Sequence, residues 1–260
     1  MSDAWEGKYS VSSEELANRL RGLSQVLQEA TLRHVISLSR NHPKVLEIGC
    51  GTGQHSIALA RFHPDGEYVA TDYAASAIAE THALAEAAHV HIDARVADIT
   101  QLPFDDHVFD IVFGDHVIAH VPDLDRAIRE CARVLKPGGY LVINASNALR
   151  PDGWRLYHML TPKPYLWRDF FPWELRALVK KGGFSLARSY GSTVYLDRGI
   201  KKLFKKSKTE SVGTPGKSVS DTSSNVHWLR RMKRGVFRVL EQILPPFLMV
   251  EYGVVVRKAP

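Results

Sequence analysis

Apolar and polar positions along this chain switch between two periods, and the switches mark its elements. Leu16, Leu20, Leu23, Val26, Leu27, Leu32, Val35 and Ile36 recur at three- and four-residue steps, which predicts one or two helices within residues 12–40. Ser12 and Ser13 ahead of Glu14 and Glu15 suit an N-cap and a negative first turn. The period then shortens. Val45, Leu46 and Ile48 form a β-compatible run with Glu47 inside it, Gly49, Gly51 and Gly53 follow at alternate positions, and Ile57, Ala58 and Ala60 resume a helical spacing. That order predicts a strand, a tight turn and a helix start.

Strand and helix patterns continue to alternate. Glu67–Asp72 reads as a second strand, Ala74–His89 as an alanine-rich helix and Ile92–Ala97 as a third strand. Val108–Phe113 is almost continuously apolar, as expected of a parallel strand covered on both faces. Leu124–Leu135 places Leu124, Ile128, Cys131, Ala132 and Leu135 on one helical face, and Lys136-Pro137-Gly138-Gly139 predicts its stop ahead of a strand at Tyr140–Asn144. Pro172 opens a helix that Gly182-Gly183 closes, Phe184–Leu196 is the next strand, and Met249–Arg257 is a seventh, antiparallel beside it. The alternation places the chain in the α/β class.

The glycine turn decides which ligand is sought. Glycine lets backbone approach a ligand or adopt positive φ, and a helix start offers free N–H groups. A dinucleotide fingerprint needs G-x-G-x-x-G, but Gln54 stands where its third glycine would fall, and no Gly-Lys-Ser/Thr follows for a phosphate-binding loop. The turn therefore suits a nucleotide-like ligand of another kind. E-x-G-x-G-x-G after a strand resembles motif I of the class I S-adenosylmethionine (SAM)-dependent methyltransferases. The later series LPF-x-D-x-x-FD-x-V, HVPD and RVLKPGG-x-L resembles their small-molecule branch, which includes quinone-methylating enzymes, and the resemblance covers about residues 40–146.

The resemblance implies a doubly wound, mostly parallel seven-stranded Rossmann-like sheet with an antiparallel last strand. It implies SAM as cofactor, held by Glu47, Gly49, Gly51 and Gly53. Asp72 ends the second strand 19 residues beyond Gly53, where a carboxylate can accept both ribose hydroxyls; the alternative is an N-cap for the next helix. Tyr73 would flank the adenine, Asp98 would meet its amino group and Ile99 would cover the ring, the alternative for Asp98 being a loop acid. Asp115 follows the fourth strand at its carboxyl end, where open α/β sheets place ligands, and is a further cofactor candidate.

Methyl transfer is a displacement that positioning alone can accelerate greatly, and a hydroxyl acceptor gains from a base such as histidine. His116 and His120 follow the fourth strand, on one face if the stretch is helical, and His158 lies in the aromatic segment Trp154–Phe171. Each has a plainer reading: solvent contact for His116, a backbone-binding structural role for His120, and a satellite core rather than a pocket wall for the segment around His158.

The 260 residues, 45% of them hydrophobic, suffice for one core with an extension. The expected division is an N-terminal helical segment or lid at 1–40 (with Trp5, Lys8 and Tyr9 near the cleft), a SAM-binding core at 41–197, a basic insertion at 198–246 and a final core strand at 247–260. Two cysteines, Cys50 and Cys131, make no disulfide framework, and no Cys/His cluster suggests a metal, which fits a reduced cytoplasmic compartment. MSDAWEGKYS does not read as a secretory signal, and no apolar run approaches the roughly 20 residues of a membrane span. The net charge of +6 is uneven: residues 198–260 hold 14 Lys/Arg against four acids, a net of +10, leaving −4 for residues 1–197. Within that basic stretch, Lys201–Lys208 is a cationic cluster, Thr209–Asn225 reads as a flexible linker and Val226–Leu244 as a basic amphipathic helix. Residues 198–244 are expected to dock on an anionic membrane at its inner face, to pack on their own domain, or to meet a nucleic acid or protein partner.

The expected function is methyl transfer to a small-molecule or lipid-linked acceptor, with oxygen preferred. The rivals are a nucleic-acid methyltransferase, disfavoured because Gly-Asp-His-Val stands where an Asn/Asp-Pro-Pro-Tyr/Phe motif would be, and a non-catalytic SAM-fold module that docks through its basic extension.

Overall fold

The computed structural model describes residues 12–149, 168–192 and 249–260. Two helices, α1 (Ser13–Val26) and α2 (Ala30–Leu38), precede the sheet, and the Ser12 hydroxyl caps α1 by accepting from the Glu15 N–H. The alternating part runs β1 (Lys44–Ile48), α3 (Gln54–Phe62), β2 (Glu67–Asp72), α4 (Ala75–Ala88), β3 (Asp93–Val96), β4 (Phe109–Gly114), α5 (Leu124–Val134) and β5 (Leu135–Ser146). Helix α6 (Pro172–Lys181) and strands β6 (Phe184–Ser192) and β7 (Glu251–Lys258) complete it.

The seven strands lie in the order β3-β2-β1-β4-β5-β7-β6. All neighbours from β3 to β5 are parallel, while β7 runs antiparallel to both β5 and β6. The last strand thus stands between β5 and β6. Winding starts at β1 and proceeds outward in both directions, so the crevice at the carboxyl ends of β1 and β4 is the topological switch point.

Each central strand buries both faces. Leu46, Ile48, Phe109, Val112 and Leu141 join Ile128 and Cys131 of α5 and Leu175 and Val179 of α6 in one core. Val45, Ile111, Phe113 and Val142 face the other core with Leu32 and Val35 of α2, Ile57 and Leu59 of α3 and Leu84 of α4. Buried Glu80 of α4 forms an ion pair with Arg19, which fixes α1 across the sheet's first half.

The strand after α5 begins earlier than its sequence suggests. The register with β4 jumps from Phe109↔Leu135 to Ile111↔Tyr140, so Lys136–Gly139 is a bulge inside β5 rather than a stop before it. Gly138 supplies a left-handed φ of +76° there. Trp5, Lys8, Tyr9, His158 and the predicted basic helix at 226–244 lie outside the described residues. Among the described residues no helix is long and apolar enough to cross a membrane.

Candidate active site

The switch-point crevice holds a cleft of about 430 Å³, within the range of small-ligand sites. Gly49, Asp72 and Tyr73 line it from the ends of β1 and β2, Asp98 and Ile99 from beyond β3, and Asp115, His116 and His120 from beyond β4. Eight of the twelve residues that the sequence nominates therefore meet in one place.

The glycine turn is dictated by its surroundings. Gly49 has φ +65°, and a Cβ there would stand 2.3 Å from the Val117 Cγ2. Gly53 has φ +70° and would press a Cβ onto Thr81 at 2.5 Å. Both positions thus exclude a side chain twice over. The Gly51 N–H donates to the Asp72 carboxylate at 2.8 Å, and the Ala74 N–H donates to its other oxygen at 2.9 Å. Asp72 consequently shapes the start of α4 and also lines the cleft, so neither reading of it from the sequence excludes the other. Burial raises its pKa, partly offset by those two N–H donors.

Glu47, expected at the cofactor, turns away from the cleft. It is 1% exposed, and its carboxylate accepts from the Ser56 N–H at 3.0 Å, the Ser56 hydroxyl at 2.6 Å and His55 Nδ1 at 3.0 Å. Gly53, the N-cap of α3, has no side chain to satisfy that helix's first N–H groups, and Glu47 does so instead.

Asp98 accepts from both the N–H and the hydroxyl of Thr100, at 2.7 and 2.8 Å, which makes it a turn former as well as a wall of the cleft. Tyr73 stands at the rim, 51% exposed. Beyond β4 the chain makes a single 3₁₀ turn, Val117–His120, so His116 and His120 do not share the face of an α-helix. His116 sits at the head of that turn with φ +58°, its N–H donating to Asn144 Oδ1 at 2.7 Å.

Behind the cleft lies a polar network that no local motif announced. One oxygen of Asp115 accepts from the Thr31 hydroxyl at 2.9 Å and the Asn144 amide at 2.7 Å. His116 Nε2 meets Glu251 at 2.9 Å, and His55 Nε2 meets Glu29 at 3.2 Å. Burial opposes charge on His116, but the Glu251 hydrogen bond and charge, with Asp115, push its pKa up to about 9. Burial opposes charge on His55 as well, and the hydrogen bonds to Glu29 and Glu47 raise its pKa well above the usual value. Burial also works against ionised Asp115, but the His116 and His55 charges with the Thr31 and Asn144 donors lower its pKa. Both histidines are therefore imidazolium ions at neutral pH and Asp115 is a carboxylate. Glu29, His55 and Asp115 bring one ligand atom each within 4.8 Å of one another, yet both His55 nitrogens already face carboxylate oxygens, the geometry of an ion-paired cation and not of a metal ligand.

The wall chemistry discriminates between nucleotide-like ligands. Four aspartates (Asp72, Asp98, Asp115, Asp123) and two histidines line the cleft, with no Lys or Arg among the described lining residues. The positive end of α3, where a phosphate would bind, already faces Glu47. A pyrophosphate finds neither a Lys or Arg nor a free helix N-terminus among these residues, whereas the four carboxylates suit an uncharged nucleoside carrying a cationic group. Residues 46–143 match the methyltransferase-domain family. The core of this chain is a class I SAM-dependent methyltransferase domain.

Relatives agree with that assignment. The chain is similar to a ubiquinone biosynthesis O-methyltransferase of Xanthomonas euvesicatoria pv. vesicatoria, 34% identical over 55% of this chain and 63% of that one. It is also similar to the 27-O-demethylrifamycin SV methyltransferase of Amycolatopsis mediterranei, 34% identical over 46% of each. The chain spans about half the length of the curated relatives it matches. Among solved structures it resembles the [4+2]-cyclase SpnF, with a TM-score of 0.58 at 18% identity over 95% of this chain and 84% of that one. A similar fold thus occurs in a cyclase, and fold alone does not name the reaction.

Proposed function

We propose that this chain is a SAM-dependent methyltransferase that methylates an oxygen of a small-molecule acceptor. The observation that carries the reading is an acidic cleft, without Lys or Arg among its described lining, around a glycine turn whose helix end Glu47 already satisfies. When bound, SAM supplies a methyl group on positively charged sulfur, open to in-line displacement. Asp72 presents its carboxylate to vicinal hydroxyls, and Asp115, kept ionised by its four partners, presents negative charge to a cationic ligand. Transfer of that methyl to a hydroxyl would release the hydroxyl proton, which residues of this chain would have to take up. His116, protonated near neutrality, is better suited to hold a developing oxygen anion than to take that proton. His120, on the same cleft, is the candidate base, and His158 stays a candidate from the sequence alone.

The O-methyltransferase names among the relatives support oxygen as the methylated atom. The charge pattern of residues 198–244 supports a lipid-linked acceptor reached at an anionic membrane surface. Isothermal titration with SAM tests the reading: wild type binds, Asp72→Ala binds at least about tenfold more weakly, and an absence of SAM binding refutes it. Flotation of the full chain with anionic liposomes tests the membrane reading, and a chain that stays at the bottom of the gradient refutes it.

A further inference from the structure

The start of α2 reaches the glycine turn through one side chain. Glu29, the N-cap of α2, meets His55 Nε2, and His55 Nδ1 meets Glu47, whose other oxygen holds the first turn of α3 by the Ser56 N–H and hydroxyl. His55 is the second residue of α3, two beyond Gly53. Three segments far apart in sequence are therefore joined by a single imidazole: the α1–α2 turn, the end of β1 and the helix that follows the turn. Exposure grades outward along this chain, from 1% for the Glu47 side chain through 18% for His55 to 40% for Glu29.

We propose that His55, bridging Glu29 and Glu47, is a donor-positioning residue: it clamps the N-terminal helical pair onto the glycine turn and thereby sets the backbone that receives SAM. The inference rests on the SAM reading above and assigns to that site two residues, Glu29 and His55, that do not line the cleft. Its physical basis is the two-sided bridge. A neutral imidazole has one N–H and can donate to one carboxylate only, whereas the imidazolium donates to both. With its proton lost, His55 must release Glu29 or Glu47, and the turn loses its outer support.

The charged groups facing His55 are Glu29 from the α1–α2 turn, Glu47 from β1 and Asp115 from beyond β4. Phe113 of β4 presents its ring to His55 edge-on, with centroids 6.3 Å apart. Arg19 of α1, the neighbouring helix, is engaged with Glu15 and Glu80. His116 meets Asp115 through charge and is tied to Glu251. The Glu29, Glu47 and Asp115 carboxylates, acting against burial, keep His55 protonated through neutrality, so the bridge is intact there and is lost as pH rises through the raised midpoint.

The test is isothermal titration of the full chain with SAM from neutral to alkaline pH, for wild type, His55→Asn and Glu29→Gln, with urea unfolding of each. His55→Asn is expected to bind SAM about tenfold more weakly at neutral pH, the size of one charge-assisted hydrogen bond. Glu29→Gln is expected to fold, because Glu29 is partly exposed, and to begin its alkaline loss of affinity at lower pH than wild type. SAM's own amine titrates near pH 8, so the comparison between chains carries the result. Equal SAM affinity in His55→Asn, or a Glu29→Gln profile that superimposes on wild type, overturns the clamp while leaving the donor assignment standing. If His55→Asn does not fold, the Glu29→Gln profile decides. Wild type that binds no SAM overturns both.

Discussion

Gly49→Ala tests the geometry of the cleft directly. Alanine at φ +65° costs about 1–2 kcal/mol for its left-handed backbone alone. Its Cβ would stand 2.3 Å from Val117 Cγ2 and 2.8 Å from Val117 Cβ, contacts that cannot persist. Relief requires moving the 3₁₀ turn Val117–His120, which carries His120, and such overpacking costs about 1–3 kcal/mol more. Together these predict a loss of about 2–5 kcal/mol in urea unfolding and an affinity for SAM too weak to titrate. Val117→Ala removes the nearer contact and leaves the backbone strain. The double variant Gly49→Ala/Val117→Ala is therefore expected to show a favourable coupling of about 1 kcal/mol or more in a double-mutant cycle. Additive losses, with no coupling, would refute the claim that Val117 sets the glycine requirement. A Gly49→Ala chain as stable as wild type would refute the whole argument.

Other perturbations read different parts of the network. Glu47→Ala removes the buried partner of His55 and of the α3 N-terminus, and the expected loss in urea unfolding is about 3 kcal/mol, with an unchanged midpoint counting against it. His116 should titrate near pH 9 by NMR and move toward the ordinary value of about 6.5 in Glu251→Gln. Because its folded pKa is the raised one, the stability it contributes is complete below about pH 6.5 and is lost as pH rises to about 9, so the wild-type advantage over Glu251→Gln should shrink across that window. Gly253 of β7 lies under the ring of its β6 partner Tyr190, where a Cβ would stand 2.2 Å from the ring, and Gly253→Ala should cost about 1–3 kcal/mol by thermal or urea unfolding.

Much of this site was legible in the sequence because its parts are local. The strand, glycine turn and helix of residues 44–62 announce themselves through spacing, and Asp72, Asp98 and Asp115 follow because a strand's carboxyl end is a fixed place in such a sheet. The nearly continuous apolar run Val108–Phe113 likewise announces β4, and its residues fill both cores. Reading failed where a residue's job is set by something distant. Glu47 looks like a ligand-facing acid until α3 packs over it and its oxygens are taken by Ser56 and His55. Lys136–Gly139 looks like a stop, but β4 draws Leu135 into pairing before the glycines, leaving a bulge. Glu29, Thr31, Asn144, Tyr190 and Glu251 carry no motif; only the fold brings them to Asp115 and His116. His55 was the exception, a titratable side chain two residues past the third glycine whose position alone could have marked it.

The place of β7 between β5 and β6 constrains the order in which the molecule can be assembled. Translation delivers β5 and β6 long before Glu251–Lys258, yet those two strands are not neighbours in the sheet: β6 pairs only with β7, and β7 covers the edge of β5 that faces away from β4. Until residue 258 is made, one long edge of the sheet, Tyr140–Ser146, has unpaired N–H and C=O groups open to any other strand. A nascent or truncated chain would therefore hold its glycine turn and most of its acids in place while being prone to association along that edge. It would also lack Glu251, so the charge on His116 would arrive with the last strand, and the electrostatics of the cleft would be finished only when the sheet is closed.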